Sequence, residues 1–316
     1  STEIPQEEYF KQMLRENGIE DVDNNLAEIE PGSNEDIGQG EEQNESFSQG
    51  ASSSGFELAA APAYTYDWTR QWTGDDLRSE FFAVDGSTSM KEEYLNAERL
   101  LNEDLILNNE DEAQGPQILI YHTHASEDFV DSVPGDPSTT IVGAGDRLTE
   151  LLEGYGFRVL HDTGVYDQER DNAYEKALPA VEQILKENPG IEVVIDLHRD
   201  EMANDRRLVM DLQGRPTARF MFFNGLSYLR RQGEISYLEN PYILDNLAFS
   251  FQAQVLANEY YPGLTRKIYL KAYRYNMHLC PKSMLIELGA QNNTVEEIMN
   301  ACDPLAHVLA MVLKKR

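Results

Sequence analysis

The sequence predicts a doubly wound, mostly parallel α/β sheet flanked by helices. Three observations carry this prediction. Strand-like and helix-like segments alternate along the chain, the pattern of stacked βαβ units. The runs Ile118-Leu-Ile-Tyr121 and Ile191-Glu-Val-Val-Ile-Asp-Leu197 have the length and apolar content of strands buried on both faces. Each of these runs then breaks into a polar cluster: His122-Thr-His-Ala-Ser-Glu127 after the first and His198-Arg-Asp200 after the second. A third run, Ser283-Met-Leu-Ile286, ends at Glu287. Strands that surface this way at one sheet edge are where sites lie in open α/β folds.

Taken in order, residues 5–15 carry a helical pattern (Tyr9, Phe10, Met13, Leu14). From Asn17 to about Ala61 the chain is acidic, rich in Asn, Gln, Ser and Gly, and poor in large apolar groups. Such a stretch buries too little to offset its ordering entropy and is expected to be a disordered spacer, its acids solvated rather than calcium-binding. Tyr64, Tyr66, Trp68 and Trp72 then mark the start of order, as packing aromatics rather than a ligand platform. The chain thus divides into a spacer, residues 1–61, and a folded body, residues 62–316. Tyr94, Leu95, Ala97, Leu100 and Leu101 predict a helix over 91–102, and Leu105–Leu107 reads as a short strand.

Pro116 opens the strand at 117–121. Leu148, Leu151 and Leu152 predict a helix over 142–155, closed by Gly154-Tyr-Gly156 with the glycine expected at a helix C-terminus. A strand over 157–161 and a helix over 172–187 follow, the helix stopped by Asn188-Pro-Gly190. After the strand at 191–197, residues 207–212 and 220–224 read as further strands. Leu247, Phe251, Val255 and Leu256 predict a helix over 244–260. Residues 267–272 are strand-like, 284–288 form the last central strand, and 294–315 close the chain as a helix.

The net charge of −30 disfavours nucleic acid, whose phosphates would repel it, although much of the excess lies in the first 60 or so residues. Cys280 and Cys302 form no Cys-x-x-Cys pair, which argues against a thiolate zinc site. They read as buried thiols, with a disulfide still open. No apolar run reaches the ~20 residues needed to span a bilayer, and no signal peptide stands at Ser1. The chain starts without Met, so a membrane anchor is expected in a preceding segment.

A catalytic zinc takes three ligands drawn from His and Asp/Glu, and His124, Glu127 and His198 satisfy that count. Glu287 suits a general base. His122 stands two residues before His124, and alternate residues of an extended chain share a face, so either ring can ligate. His-Glu-x-x-His, Gly-x-Ser-x-Gly and phosphate-binding glycine loops are absent, which argues against helix-borne protease, serine and nucleotide chemistry.

Three segments, Tyr121-His-Thr-His-Ala-Ser-Glu127, Asp196-Leu-His-Arg-Asp200 and Ile286-Glu-Leu-Gly-Ala-Gln-Asn-Asn-Thr294, together resemble the stage II sporulation protein P family over roughly residues 65–315. These are peptidoglycan hydrolases of endospore-forming bacteria, similar in fold to zinc-dependent N-acetylmuramoyl-L-alanine amidases. The resemblance implies a zinc amidase-like fold that cleaves the amide between muramic acid and the stem peptide, with endopeptidase activity on cross-links. It also implies extracytoplasmic, membrane-anchored action at the sporulation septum, in wall thinning and forespore engulfment, with stage II sporulation proteins D and M as partners.

The resemblance assigns zinc to His124 and His198, with His122 less firmly placed, and catalysis to Glu287. Related amidases hold the ligand carboxylate at the start of the helix after the first strand. Here residues 135–145 have Asp136 as their only acid, so Glu127 is taken as the ligand. Arg199 can hold a stem-peptide carboxylate and Asp200 can orient an imidazole, unless both belong to surface ion pairs. Asn276, Gln291 and Asn292 can bind sugar or peptide, while His278 reads as structural. The alternative is a wall-binding scaffold on the same fold, its histidines structural and its chemistry lost.

Overall fold

Strands with large apolar side chains on both faces need cover on both sides. The computed structural model, which describes residues 56–108, 115–203 and 205–314, provides it. The strands are β1 (Phe82–Val84), β2 (Ile118–Tyr121), β3 (Val159–His161), β4 (Val193–Asp200), β5 (Val209–Leu212), β6 (Arg215–Ala218), β7 (Phe220–Gly225), β8 (Tyr228–Leu229), β9 (Gly233–Glu234), β10 (Ile268–Lys271) and β11 (Lys282–Ala290). The helices are α1 (Gly74–Phe81), α2 (Ala97–Asn102), α3 (Ile141–Gly154), α4 (Ala173–Glu187), α5 (Ile243–Tyr260) and α6 (Val295–Leu313).

Seven strands form the main sheet in the order β1-β10-β7-β11-β4-β2-β3. All neighbours run parallel except β7 and β11, so the expected mostly parallel sheet is present. One face, with Ile118, Ile120, Ile195, Leu197 and Ile286, packs against α3, α5 and α6. On the other, Leu119, Tyr121 and Val194 meet Ala177 and Val181 of α4. In the middle of the sheet β2, β4 and β11 run parallel, with Tyr121 opposite Asp196 and His198 opposite Glu287. Their C-terminal ends therefore open at one edge, which fixes where chemistry can gather.

Local signals set most boundaries. Thr140 caps α3 by accepting from the Val142 N–H, and Gly156 beyond its end has φ +90°, as expected of a glycine that terminates a helix. Thr294 and Glu297 form a reciprocal capping box at the start of α6. Thr73 and Asp76 do the same for α1, a helix the periodicity did not reveal. The helix expected over 91–102 is split: a 3-10 turn at Glu92–Tyr94 precedes α2, because Asn96 accepts from the Arg99 N–H and starts a new helix there. Leu105–Leu107 is extended but joins no strand; its buried leucines pack beside α6, and the Leu107 N–H donates to Leu313 O. Strand β6 was not expected. It pairs with β5 through Gln213-Gly214, both at positive φ, a two-residue hairpin turn.

The helix expected at 5–15 and most of the acidic spacer lie outside the described residues. Its last part is described, and Glu57 exchanges two backbone hydrogen bonds with the Gln213 amide, at 3.0 and 2.7 Å. Cys280 and Cys302 are both free, buried thiols. The aromatics after Pro62 serve packing: Tyr66, Trp68 and Trp72 cluster on Phe81, and Trp68 and Phe81 meet Phe251 of α5 at 5.9 and 4.8 Å between centroids. Phe251→Ala is expected to cost about 3–5 kcal/mol in chemical denaturation. Because both tryptophans of the chain sit in this cluster, their emission should shift to the red in the same variant.

Candidate metal centre

Strand β2 ends at Tyr121, and the chain then turns through residues 123–126 instead of continuing extended. One carboxylate sets the direction of that turn. Asp196 of β4 accepts from the Thr123 backbone N–H at 2.9 Å and from its hydroxyl at 2.7 Å. Its Oδ1 also lies 2.9 Å from His198 Nε2. The same group therefore aims the turn that carries His124 and orients the ring of His198, leaving that ring's Nδ1 facing the pocket. The turn is pinned further by Asp167, which accepts from the backbone N–H and hydroxyl of Ser126. Glu127 completes the turn, and the backbone N–H of Arg199 donates to its Oε2 at 2.9 Å.

These restraints bring His124, Glu127 and His198 together, all at most 2% exposed. His124 Nδ1 is 3.4 Å from His198 Nδ1, Glu127 Oε1 is 3.8 Å from His124 Nδ1, and Glu127 Oε2 is 3.6 Å from His198 Nδ1. The edge of a tetrahedron is about 1.6 times the centre-to-vertex distance, so ion–ligand bonds of about 2.1 Å give edges near 3.4 Å. Glu127 turns a different oxygen to each ring, and one donor atom from each of the three residues lies within 4.8 Å of the others, a set that fits a shared divalent ion. Glu287, opposite His198 on β11, is buried on the same face of the sheet.

The two imidazoles differ in charge: His124 is neutral, whereas His198 carries a proton in the metal-free pocket and releases it to ligate. Burial, with the charge of neighbouring His198, pushes His124 down to about 4, so at neutral pH its ring is neutral and able to ligate. Burial also works against charge on His198, but the carboxylates of Asp196 and Glu127 outweigh it and hold that ring well above the ordinary range. Burial would raise Glu127 and Asp196, yet the nearby histidines and hydrogen bonds keep both below the usual carboxylate range. Buried carboxylates of this kind call for positive charge in the pocket, which a divalent cation supplies.

A sequence model described as stage II sporulation protein P (SpoIIP) matches residues 5–310 of this chain. The chain belongs to the SpoIIP family. A curated relative, stage II sporulation protein P of Bacillus subtilis (strain 168), is 23% identical over 213 residues, which cover 61% of this chain and 50% of the relative. The chain thus spans about half the length of the curated relative it matches. Among solved structures it is similar to the CwlD amidase from Clostridioides difficile in complex with the GerS lipoprotein, at 15% identity, 62% of this chain, 98% of that one and a TM-score of 0.36. The catalytic domain of CwlV, an N-acetylmuramoyl-L-alanine amidase from Bacillus (Paenibacillus) polymyxa var. colistinus, gives 14%, 62%, 95% and 0.34.

Of the residues singled out in this SpoIIP-family sequence, His124, Glu127 and His198 come together in one buried cluster, and Glu287 stands in register beside His198. The others do not join the cluster. His122 does not share the pocket of His124, because the chain has left the strand between them; its ring bonds Leu197 O and His161 against α3. Asp200 orients no imidazole. It pairs with Arg266 at 2.5 Å, and Asp196 does the orienting instead. Arg199 contributes its backbone N–H, while its guanidinium bonds the carbonyl oxygens of Asp128 and Asp200.

Asn276 donates to Tyr174 O, the Gln291 amide exchanges two bonds with the Met202 backbone, and Asn292 donates to Arg206 O. These three amides bond to the backbone of neighbouring segments. His278 is half-buried, and burial pushes its ring down to about 4. Two further residues complete the site. The Tyr174 ring packs on His124 and His198 at 5.7 and 6.3 Å, and Arg170, 38% exposed, stands 3.8 Å from Glu127 and 3.7 Å from Glu201.

Asp196→Asn keeps the size of the side chain but removes the carboxylate that serves both turn and ring. Zinc affinity, measured by chelator competition, should fall about 10–100-fold. Circular dichroism of the variant should stay native-like.

Proposed function

We propose that this chain is a zinc-dependent peptidoglycan hydrolase, an N-acetylmuramoyl-L-alanine amidase with endopeptidase activity on stem-peptide cross-links. In this reading it acts outside the cytoplasmic membrane at the sporulation septum, in wall thinning and engulfment, with stage II sporulation proteins D and M as partners. Membership of the SpoIIP family, a family of peptidoglycan hydrolases by the resemblance its motifs carry, supports both the setting and the choice of bond. Among the described residues, no helix is long and apolar enough to cross a membrane. The observation that carries the chemistry is the buried cluster of His124, Glu127 and His198, with Glu287 in register beside His198.

His124, Glu127 and His198 would hold the ion, which when bound polarises the scissile carbonyl and makes water a competent nucleophile near neutral pH. Glu287 takes the proton of the attacking water and delivers it to the leaving amide nitrogen, so that the amine departs neutral. Asp196 keeps His198 in one tautomer and one orientation throughout. Tyr174 covers the two imidazoles and limits bulk water around them. Arg170, half-exposed beside Glu127, offers a cation to a carboxylate of the stem peptide, the role its sequence neighbourhood had suggested for Arg199.

The purified chain should hold about one zinc per molecule and release soluble stem peptides from sacculi, read by metal analysis and mass spectrometry. Glu287→Gln should retain the metal and lose about 10²–10⁴ of the rate, while His198→Ala should lose both. Full activity of His198→Ala with no metal bound would sink this mechanism.

A further inference from the structure

His122 fell outside the metal pocket, yet it is fully buried and bonded at both ring nitrogens. Its Nδ1 lies 2.7 Å from Leu197 O, and its Nε2 lies 2.8 Å from Nε2 of His161. His161, at the end of β3, places its other nitrogen 2.9 Å from Asp146 Oδ1 on α3. The two rings cross nearly at right angles, with centroids 5.1 Å apart. Helix α3 makes room for them at Gly145: a Cβ there would stand 2.4 Å from His161 Nε2 and 2.7 Å from His122 Nε2. A glycine in mid-helix costs about 0.5–1 kcal/mol relative to alanine, so one that forms a notch for two imidazoles has a packing reason to be there.

Donor and acceptor counting fixes the hydrogens. A carbonyl and a carboxylate can only accept, so His122 donates from Nδ1 to Leu197 O and His161 donates from Nδ1 to Asp146. The contact between the two Nε2 atoms holds one further hydrogen. Three hydrogens on four nitrogens are one more than two neutral rings carry, so one of the two rings is an imidazolium and both ring planes are fixed. The chain of bonds runs from α3 through β3 and β2 to β4, and it meets β4 at the residue just before His198. It meets β2 two residues before His124. On the opposite face Asp196 joins the same two strand ends through Thr123 and His198. The ends of β2 and β4 are thus clamped from both sides of the sheet.

We propose that His161 and Asp146 are positioning residues for the metal centre, holding His122 and the Leu197 carbonyl so that His124 and His198 leave their strands at the spacing an ion requires. The inference rests on the zinc reading above, and its test separates the two. Zinc affinity by chelator competition and the melting temperature of the metal-free protein are measured on the full chain for wild type, His161→Ala, His161→Gln and Asp146→Asn.

Zinc binding about 10-fold weaker in His161→Ala and Asp146→Asn is expected, the lower end for an indirect contact. His161→Gln, whose amide can donate to His122, should recover most of the loss. Asp146 is 64% exposed, so its variant reports even where His161→Ala folds poorly. Wild-type affinity in Asp146→Asn and in any folded His161→Ala would overturn the proposal. So would equal loss in His161→Ala and His161→Gln that tracks a falling melting temperature, which marks a purely structural role. A wild-type chain that takes no zinc refutes the metal reading instead. Imidazole nitrogen NMR of the metal-free chain then decides here: hydrogens on Nδ1 of both His122 and His161 are required, and a His122 lacking one refutes the clamp.

Discussion

The geometry of the pocket hangs on the carboxylate of Asp196, buried in the middle of an apolar strand. A buried charge of this kind is costly unless it is hydrogen-bonded or paired, and Asp196 meets that demand by accepting from the backbone and hydroxyl of Thr123 and by lying 2.9 Å from the ring of His198. Its partners are therefore not free to relax independently. The turn after β2 and the ring on β4 are oriented by one group, which makes the 3.4 Å approach of the two imidazoles a property of the fold rather than of two separate rotamers.

The sheet supplies the second constraint. Because β2, β4 and β11 run parallel side by side, their last residues are delivered to a single edge, and register alone sets Glu287 beside His198. The reversal at β7 and β11 places Glu287 next to the one antiparallel pairing of the main sheet. Helix α4 then adds an aromatic ring and its preceding turn adds a cation to that polar edge.

Much of this was legible in the amino-acid order. Apolar runs ending in His124, His198 and Glu287 announced both the sheet and the convergence of its ends. Alternation failed where the chain ceased to be extended: His122 and His124 share a parity but not a face, because the strand stops at Tyr121. Parity also could not choose between Asp196 and Asp200, which flank His198 at equal spacing. The deciding facts were Thr123 and Arg266, the one brought by β2 and the other by a loop far along the sequence. A lone acid inside Val-Val-Ile-Asp-Leu was nonetheless a signal, since such a residue is rarely buried without a partner. Arg170 lies in a short turn and Tyr174 in the first turn of α4, and nothing local marked either as a site residue.

Glu127 is steered by a main-chain amide, the N–H of Arg199, and not by that residue's guanidinium. Every amino acid except proline carries that donor. Position 199 can therefore drift through evolution, changing charge and size, while the carboxylate beneath it keeps its aim. A carboxylate guided in this way is buffered against mutation of its own neighbour.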